Sequence, residues 1–149
     1  MTTYRSDLQR AWDRINSACV VVDLGTATKV EAITSDGVFA GGSIAAGLGV
    51  SMEALTARAS RLFNIELSLP STAIGRNTLE AMRAGLVRGH LHLVAGLISD
   101  VRRELGAGVP VLITGGHSSP DGSVFGTLGA HLPDLTLDGI KLIHALNSP

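Results

Sequence analysis

The chain has almost no net charge: 12 lysines and arginines stand against 13 aspartates and glutamates over 149 residues. With no excess of either sign, nothing draws it to a phosphate backbone or an anionic membrane surface, so neither nucleic acid nor membrane is expected as a partner. Aromatic residues make up only 3%, too few for a platform on which single-stranded bases stack. The one cysteine, Cys19, cannot close an internal disulfide and sits in an apolar run, as suits a reducing compartment. The first residues, with Arg5, Asp7, Arg10, Asp13 and Arg14, lack the apolar stretch of a signal peptide, and no later run reaches membrane-spanning length. A soluble, cytoplasmic chain is expected.

What is present is a 45% hydrophobic composition, enough at this length for one core and too little for two ordinary domains. Residues 4–16 read as a short amphipathic helix, with Leu8, Ala11, Trp12 and Ile15 at helical spacing. Cys19 to Val22 is an uninterrupted apolar run of the kind found in a strand buried on both faces, and Asp23 ends it. Lys29 to Thr34 and Val38 to Ala40 read as two short strands joined across Asp36-Gly37, a dipeptide suited to a tight hairpin.

From Leu48 the period changes. Leu48, Met52, Leu55, Ala59 and Leu62 share one helical face, and Ile65 to Thr72 is a connection carrying Pro70. Asn77 with Glu80 resembles a capping box that opens a long helix, continued by Leu93, Leu97, Val101 and Leu105. Ala81, Gly85 and Gly89 recur every fourth residue in it, a ridge of small side chains where another backbone can come close. Gly106 and Gly108 end this helix, and Val109 to Thr114 is a second buried strand that stops at Gly115-Gly116. Thr136 to Asn147 reads as a last helix with Leu137, Ile140, Ile143 and Leu146 inward. The expected fold is α/β, a mixed sheet with helices packed on it.

Chemistry concentrates at Asp23-Leu24-Gly25-Thr26-Ala27-Thr28, the end of the first buried strand. Gly25 lets the backbone turn so that successive N–H groups face an anion, and the hydroxyls of Thr26 and Thr28 add donors for phosphate oxygens. Asp23 can hold magnesium through water beside those oxygens. An ordinary hairpin turn capped by Asp23 has the same pattern. Gly115-Gly116 allows a flat base or ribose to lie against the backbone, or is a simple strand exit; Gly41-Gly42 has the same two readings. His90 and His92 are two apart on a helix and share no face, which argues against a metal pair. His117, next to Gly116, could touch a nucleotide there, though it reads more readily as a solvent-facing loop residue. Ser118, Ser119 and Ser123 have no base in view.

Taken in order, these elements resemble the ASKHA superfamily of actin-like and sugar-kinase-like ATPases, and within it the type III pantothenate kinases. The similarity runs through Val20 to Thr28, Gly41-Gly42-Ser43-Ile44 with Gly47-Leu48 and Ala54-Leu55, Ile74 to Thr78, Ala81-Met82 with Gly85, Thr114-Gly115-Gly116, and Pro133 to Gly139. It covers about residues 19–147 and implies that the N-terminal helix, residues 1–18, precedes a single RNase H-like (actin-like ATPase) domain over 19–149, the family's C-terminal kinase domain. It also implies ATP-dependent phosphorylation of pantothenate towards coenzyme A, with Mg2+ and a monovalent cation (K+ or NH4+). By the same resemblance Asp23, Gly25, Thr26 and Thr28 hold ATP phosphates, Gly115 and Gly116 the adenosine, and Asn77 and Thr78 lie at the substrate and subunit interface.

Family enzymes have two such domains, and the first carries another Asp-x-Gly-Asn-Thr loop, most of the acceptor pocket and the base. The resemblance covers only the second. The expectation is therefore a subunit inactive alone, completed by a complementary N-terminal-type kinase chain or by self-association, with a non-catalytic nucleotide-binding or oligomer-forming regulator as the alternative and an acetate- or sugar-kinase-like acceptor as another. Lys29 stands where the family has an uncharged residue, the segment Ile44 to Gly47 lacks the family's proline, and Asp13-Arg14 is assigned no catalytic role.

Overall fold

The computed structural model describes residues 3–59, 61–118 and 124–135, with residues 137, 138, 141 and 144. Helix α1 (Thr3–Ile15) leads into strand β1 (Cys19–Leu24), followed by β2 (Ala27–Ile33) and β3 (Phe39–Ala46). Helix α2 (Leu48–Arg58) comes next. After an irregular connection, α3 (Thr78–Arg83) continues through a π-turn (Ala84–Arg88) into α4 (Gly89–Leu105), and β4 (Val111–Thr114) and β5 (Ala130–His131) follow. The sheet order is β3-β2-β1-β4-β5. The first three strands form an antiparallel meander, while β4 runs parallel to β1 and β5 parallel to β4. The fold is mixed α/β, as the sequence predicts, with β5 an addition too short to read from it.

β1 is apolar on both faces because both faces are covered. Val20, Val22 and Leu24 join Val30, Val111 and Ile113 against Val94 and Ile98 of α4. Cys19 and Val21 join Ile33 and Leu112 against Leu8 and Ala11 of α1 and against Leu135. Helix α1 thus packs into the same sheet. Arg14 is ion-paired with Asp138 at 2.7 Å, which gives this residue a tethering contact. Trp12 lies on the β2–β3 turn, its Nε1 donating to the Ser35 carbonyl at 3.3 Å. Gly37 takes a φ of +79° there, as the Asp36-Gly37 hairpin requires.

Some predicted elements differ in extent or pitch. β3 begins at Phe39 and runs on to Ala46, so Gly41-Gly42 lies inside an edge strand and is not a strand exit. A side chain at Gly42 would press on the Val30 carbonyl of the neighbouring strand; close backbone approach is what glycine provides here. Helix α2 stops at Arg58, where Ala59 turns extended, so Leu62 does not extend its face, and Leu55 is left 38% exposed. The long helix is continuous from Thr78 to Leu105, but the π-turn inserts one residue into its pitch. Its inward residues Met82 and Val87 are five apart, after which His90, Val94 and Ile98 follow at ordinary spacing. Gly85 and Gly89 stay exposed, as a ridge facing away from the core. Of the last predicted helix, Leu137 is exposed at 57% instead of inward, and Leu135, fully buried, fills that role; Ile140, Ile143 and Leu146 lie outside the described residues.

Candidate functional site

Parallel pairing sets Asp23 of β1 level with Thr114 of β4, so the turn at Gly25-Thr26 and the exit at Gly115-Gly116 leave the same edge of the sheet side by side. Carboxyl ends of adjacent parallel strands are where α/β sheets open a crevice for ligands. Gly115 has a φ of +99°, and a Cβ there would come within 2.5 Å of the Leu24 nitrogen and 2.7 Å of Asp23 Oδ1. The His117 amide donates to the Leu24 carbonyl at 3.0 Å. The two loops are therefore packed against each other. Around Gly116 there is open space.

The β1–β2 turn closes with the Gly25 amide donating to the Ala27 carbonyl at 3.2 Å, and Thr26 is exposed at its tip. The Gly47 amide donates to the Thr26 carbonyl at 2.9 Å. A side chain at Gly47 would collide with the carbonyls of Gly25 and Thr26. Gly47 is the residue before α2, so this contact brings the first turn of the helix, with its unpaired N–H groups, against the loop. Nothing in the spacing of apolar residues marks Gly47 for this. Its sequence signals are its place in the resemblance, beside Leu48, and a glycine where the helical period begins.

Strand alternation then sorts the loop residues by face. Asp23, Lys29 opposite it, and Thr114 beside it share one face of the sheet. Leu24 and Thr28 share the other, against α4. Lys29 Nζ donates to Asp23 Oδ2 at 2.6 Å, both side chains being about one-fifth exposed (23% and 20%). The carboxylate expected to hold hydrated magnesium thus has an ammonium beside it. The Thr114 hydroxyl is buried, and no hydrogen-bond partner for it occurs among the described residues.

Thr28 departs from its expected role. Its side chain is 1% exposed, and Oγ1 lies 2.8 Å from Nε2 of His90, so this hydroxyl points into the core and not towards a phosphate. Of the two threonines expected to donate, Thr26 alone faces outward. His90 is buried and meets the Phe125 ring edge-on at 5.9 Å. Burial, with a smaller electrostatic contribution from nearby His117, holds its pKa below the ordinary histidine value. His92 is exposed, so the two histidines share no face, as their spacing predicts. Among the described residues no group of three or more His, Cys, Asp or Glu side chains is arranged to hold a metal.

Ser118, expected to have no base, does have an imidazole partner: Oγ lies 2.9 Å from His131 Nε2 on β5. The same hydroxyl donates to the Gly115 carbonyl, so it accepts from the imidazole N–H. With its proton committed, Ser118 pins the Gly115 turn and is not an activated nucleophile. Ser119 and Ser123 lie outside the described residues.

Asn77 is engaged locally. Its Oδ1 accepts from the Glu80 amide at 2.9 Å, as the predicted capping box requires, while the Glu80 carboxylate reaches one residue further back and accepts from the Arg76 amide at 2.7 Å. Thr78 is exposed and lines an open groove of about 390 Å³ with Leu55, Leu62, Met82 and Gly85. That groove shares no lining residue with the cleft of Gly25, Leu48, His90 and His117 beside the β1–β2 turn.

Residues 7–100 match the family model of type III pantothenate kinase. The chain belongs to that family. A type III pantothenate kinase of Thermomicrobium roseum is 42% identical over 131 residues, 88% of this chain and 51% of that protein. The Rhodococcus opacus enzyme is 40% identical over 136 residues, covering 89% and 50%, and the Myxococcus xanthus enzyme 39% over 137, covering 92% and 54%. The chain spans about half the length of these type III pantothenate kinases. A conserved Baf family protein of Campylobacter jejuni has a similar fold, with a TM-score of 0.62 over 93% of this chain and 62% of that one, at 24% identity. No described helix is long and apolar enough to cross a membrane.

Proposed function

We propose that the chain is the ATP-binding half of a split type III-like pantothenate kinase, phosphorylating pantothenate in coenzyme A biosynthesis together with a partner chain that supplies the base and the rest of the acceptor pocket. The observation that carries this reading is the level pairing of Asp23 with Thr114, which sets a glycine–threonine turn and a double-glycine exit at one sheet edge. The sheet order, an antiparallel meander continued by parallel strands, suits an RNase H-like domain of the actin-like ATPases.

The residues at this edge fit a nucleotide. Gly115 leaves a space that a Cβ would fill against Asp23, and Thr114 has a buried hydroxyl with no partner among the described residues. Backbone N–H groups around Gly25 and the Thr26 hydroxyl would hold phosphate oxygens, and the open backbone at Gly116 would take the adenosine. Asp23 is the carboxylate that would hold magnesium through water, and one carboxylate suffices for an ion carried mainly by nucleotide phosphates. Magnesium, when bound, neutralises charge on the transferred phosphoryl group; a monovalent cation belongs to the same proposal. Phosphoryl transfer needs charge and positioning from both walls of a cleft, so one wall alone is expected to be inactive. Thr78, next to the capping residue Asn77, lies on the groove assigned here to the subunit interface and acceptor.

One observation favours the rival reading of a non-catalytic nucleotide-binding regulator: the Asp23 carboxylate is held by Lys29. Both readings are separated by assaying pantothenate phosphorylation when the chain is combined with the N-terminal half of a relative such as the Thermomicrobium roseum enzyme. Turnover that disappears with Asp23→Ala while the two chains still co-purify supports the kinase. Undiminished turnover with Asp23→Ala removes the site assignment, and nucleotide binding without turnover in any pairing favours the regulator.

A further inference from the structure

We infer that Lys29 is a phosphate-binding residue of this chain, and that its ammonium lets the loop hold a polyphosphate without a divalent metal. The inference rests on the nucleotide-binding reading of the loop and adds to it a residue and a metal dependence.

Three observations meet at one place. Lys29 lies opposite Asp23 across the antiparallel β1–β2 pair, and the two are joined at 2.6 Å. Thr114, beside Asp23 on β4, projects from the same face and carries a buried hydroxyl without a partner among the described residues. Gly115 presses its bare Cα against Asp23, so the carboxylate is fixed between the turn after β4 and the ammonium.

The electrostatic consequence follows from the signs. An isolated carboxylate at the mouth of a phosphate loop repels a polyphosphate, and a bound divalent cation is the usual remedy. Here the ion pair already neutralises Asp23. A lysine ammonium has three N–H donors and no acceptor, so it can serve the carboxylate and a phosphate oxygen together, as a point charge on a flexible stem. Asp23 in this arrangement positions Lys29, holding the long side chain at the loop and reducing the ordering entropy lost when an anion arrives.

The test uses pyrophosphate and ATP as probes on the full chain, each titrated in excess EDTA and in magnesium. In EDTA the unaltered chain and Lys29→Arg should bind pyrophosphate, whereas Lys29→Met should bind it roughly tenfold or more weakly, the loss of one charge-assisted hydrogen bond. Magnesium should narrow the gap. Equal pyrophosphate affinity of Lys29→Met and the unaltered chain in EDTA would overturn the inference and leave the kinase reading standing. Pyrophosphate binding that depends on Lys29, with no binding of ATP under any condition, would overturn the nucleotide reading and keep the phosphate residue. Binding of neither probe overturns both. As a check that needs no variant, pyrophosphate should protect Lys29 from amine acylation, read by peptide mass; unprotected acylation at saturating pyrophosphate counts against the inference.

Discussion

Thr28 Oγ1 and His90 Nε2 lie 2.8 Å apart in the core, joining the strand that leaves the β1–β2 turn to the first turn of α4. The hydrogen bond is possible because the π-turn Ala84–Arg88 rotates the helix so that Met82, Val87 and His90 all face inward. A strictly α-helical run would carry the residue five after Met82 about 100° further than its four-residue neighbour and off that face. The loop's geometry therefore depends on a helix irregularity some sixty residues away in sequence.

This pair makes stability depend on pH. Burial holds the His90 pKa down, so between its folded and its ordinary value the unfolded chain binds more protons. The stabilisation is fully present above about pH 6.5, the ordinary histidine value, and is lost as pH falls through the folded pKa. Thermal unfolding followed from pH 8 to pH 5 should show a falling midpoint that His90→Gln flattens. An equal slope in both proteins would remove His90 as its source. At neutral pH, His90→Leu should cost about 1–3 kcal/mol by leaving the Thr28 hydroxyl buried and unpaired.

Gly115 and Gly116 should separate under the same substitution. Gly115→Ala places a Cβ 2.5 Å from the Leu24 nitrogen at a φ of +99°, so β4 and the loop after β1 cannot keep their packing, and a loss of about 2 kcal/mol or more is expected. Gly116→Ala meets open space and should change stability by less than about 0.5 kcal/mol. Denaturant unfolding of the two variants checks this, and equal losses would contradict the packed turn.

Cys19 should be inert in the folded chain. It is fully buried, and burial pushes its thiol up to about 11, so almost no thiolate exists at pH 8. Reaction with a thiol reagent should proceed at the rate of unfolding and become immediate in denaturant. Rapid stoichiometric labelling of the native chain would count against the β1 environment described here.

Asn77 has a structural duty that can be measured apart from any substrate role. Because its side chain accepts from the Glu80 amide, Asn77→Ala should lose about 1 kcal/mol of stability while Asn77→Asp, which keeps an acceptor, should lose much less. Unfolding midpoints of the two variants decide it.

The sequence alone determined the elements whose signal is local. The apolar run Cys19 to Val22, the Asp36-Gly37 hairpin, the capping box at Asn77 and the break at Gly115-Gly116 each reflect a preference set by a few neighbouring side chains, and the family resemblance follows from their order. Tertiary structure alone decided which side of each element faces what. Thr26 and Thr28 are equivalent as hydroxyls in the sequence, yet strand pairing turns one to solvent and buries the other on His90, and it sets Lys29 beside Asp23. The five-step register of α3 to α4, the docking of Gly47 on the loop and the pairing of Ser118 with His131 have the same origin. Each joins residues from separate elements, and the sheet order that brings those elements together is a property of how the whole chain buries its apolar faces, which no short stretch of residues encodes.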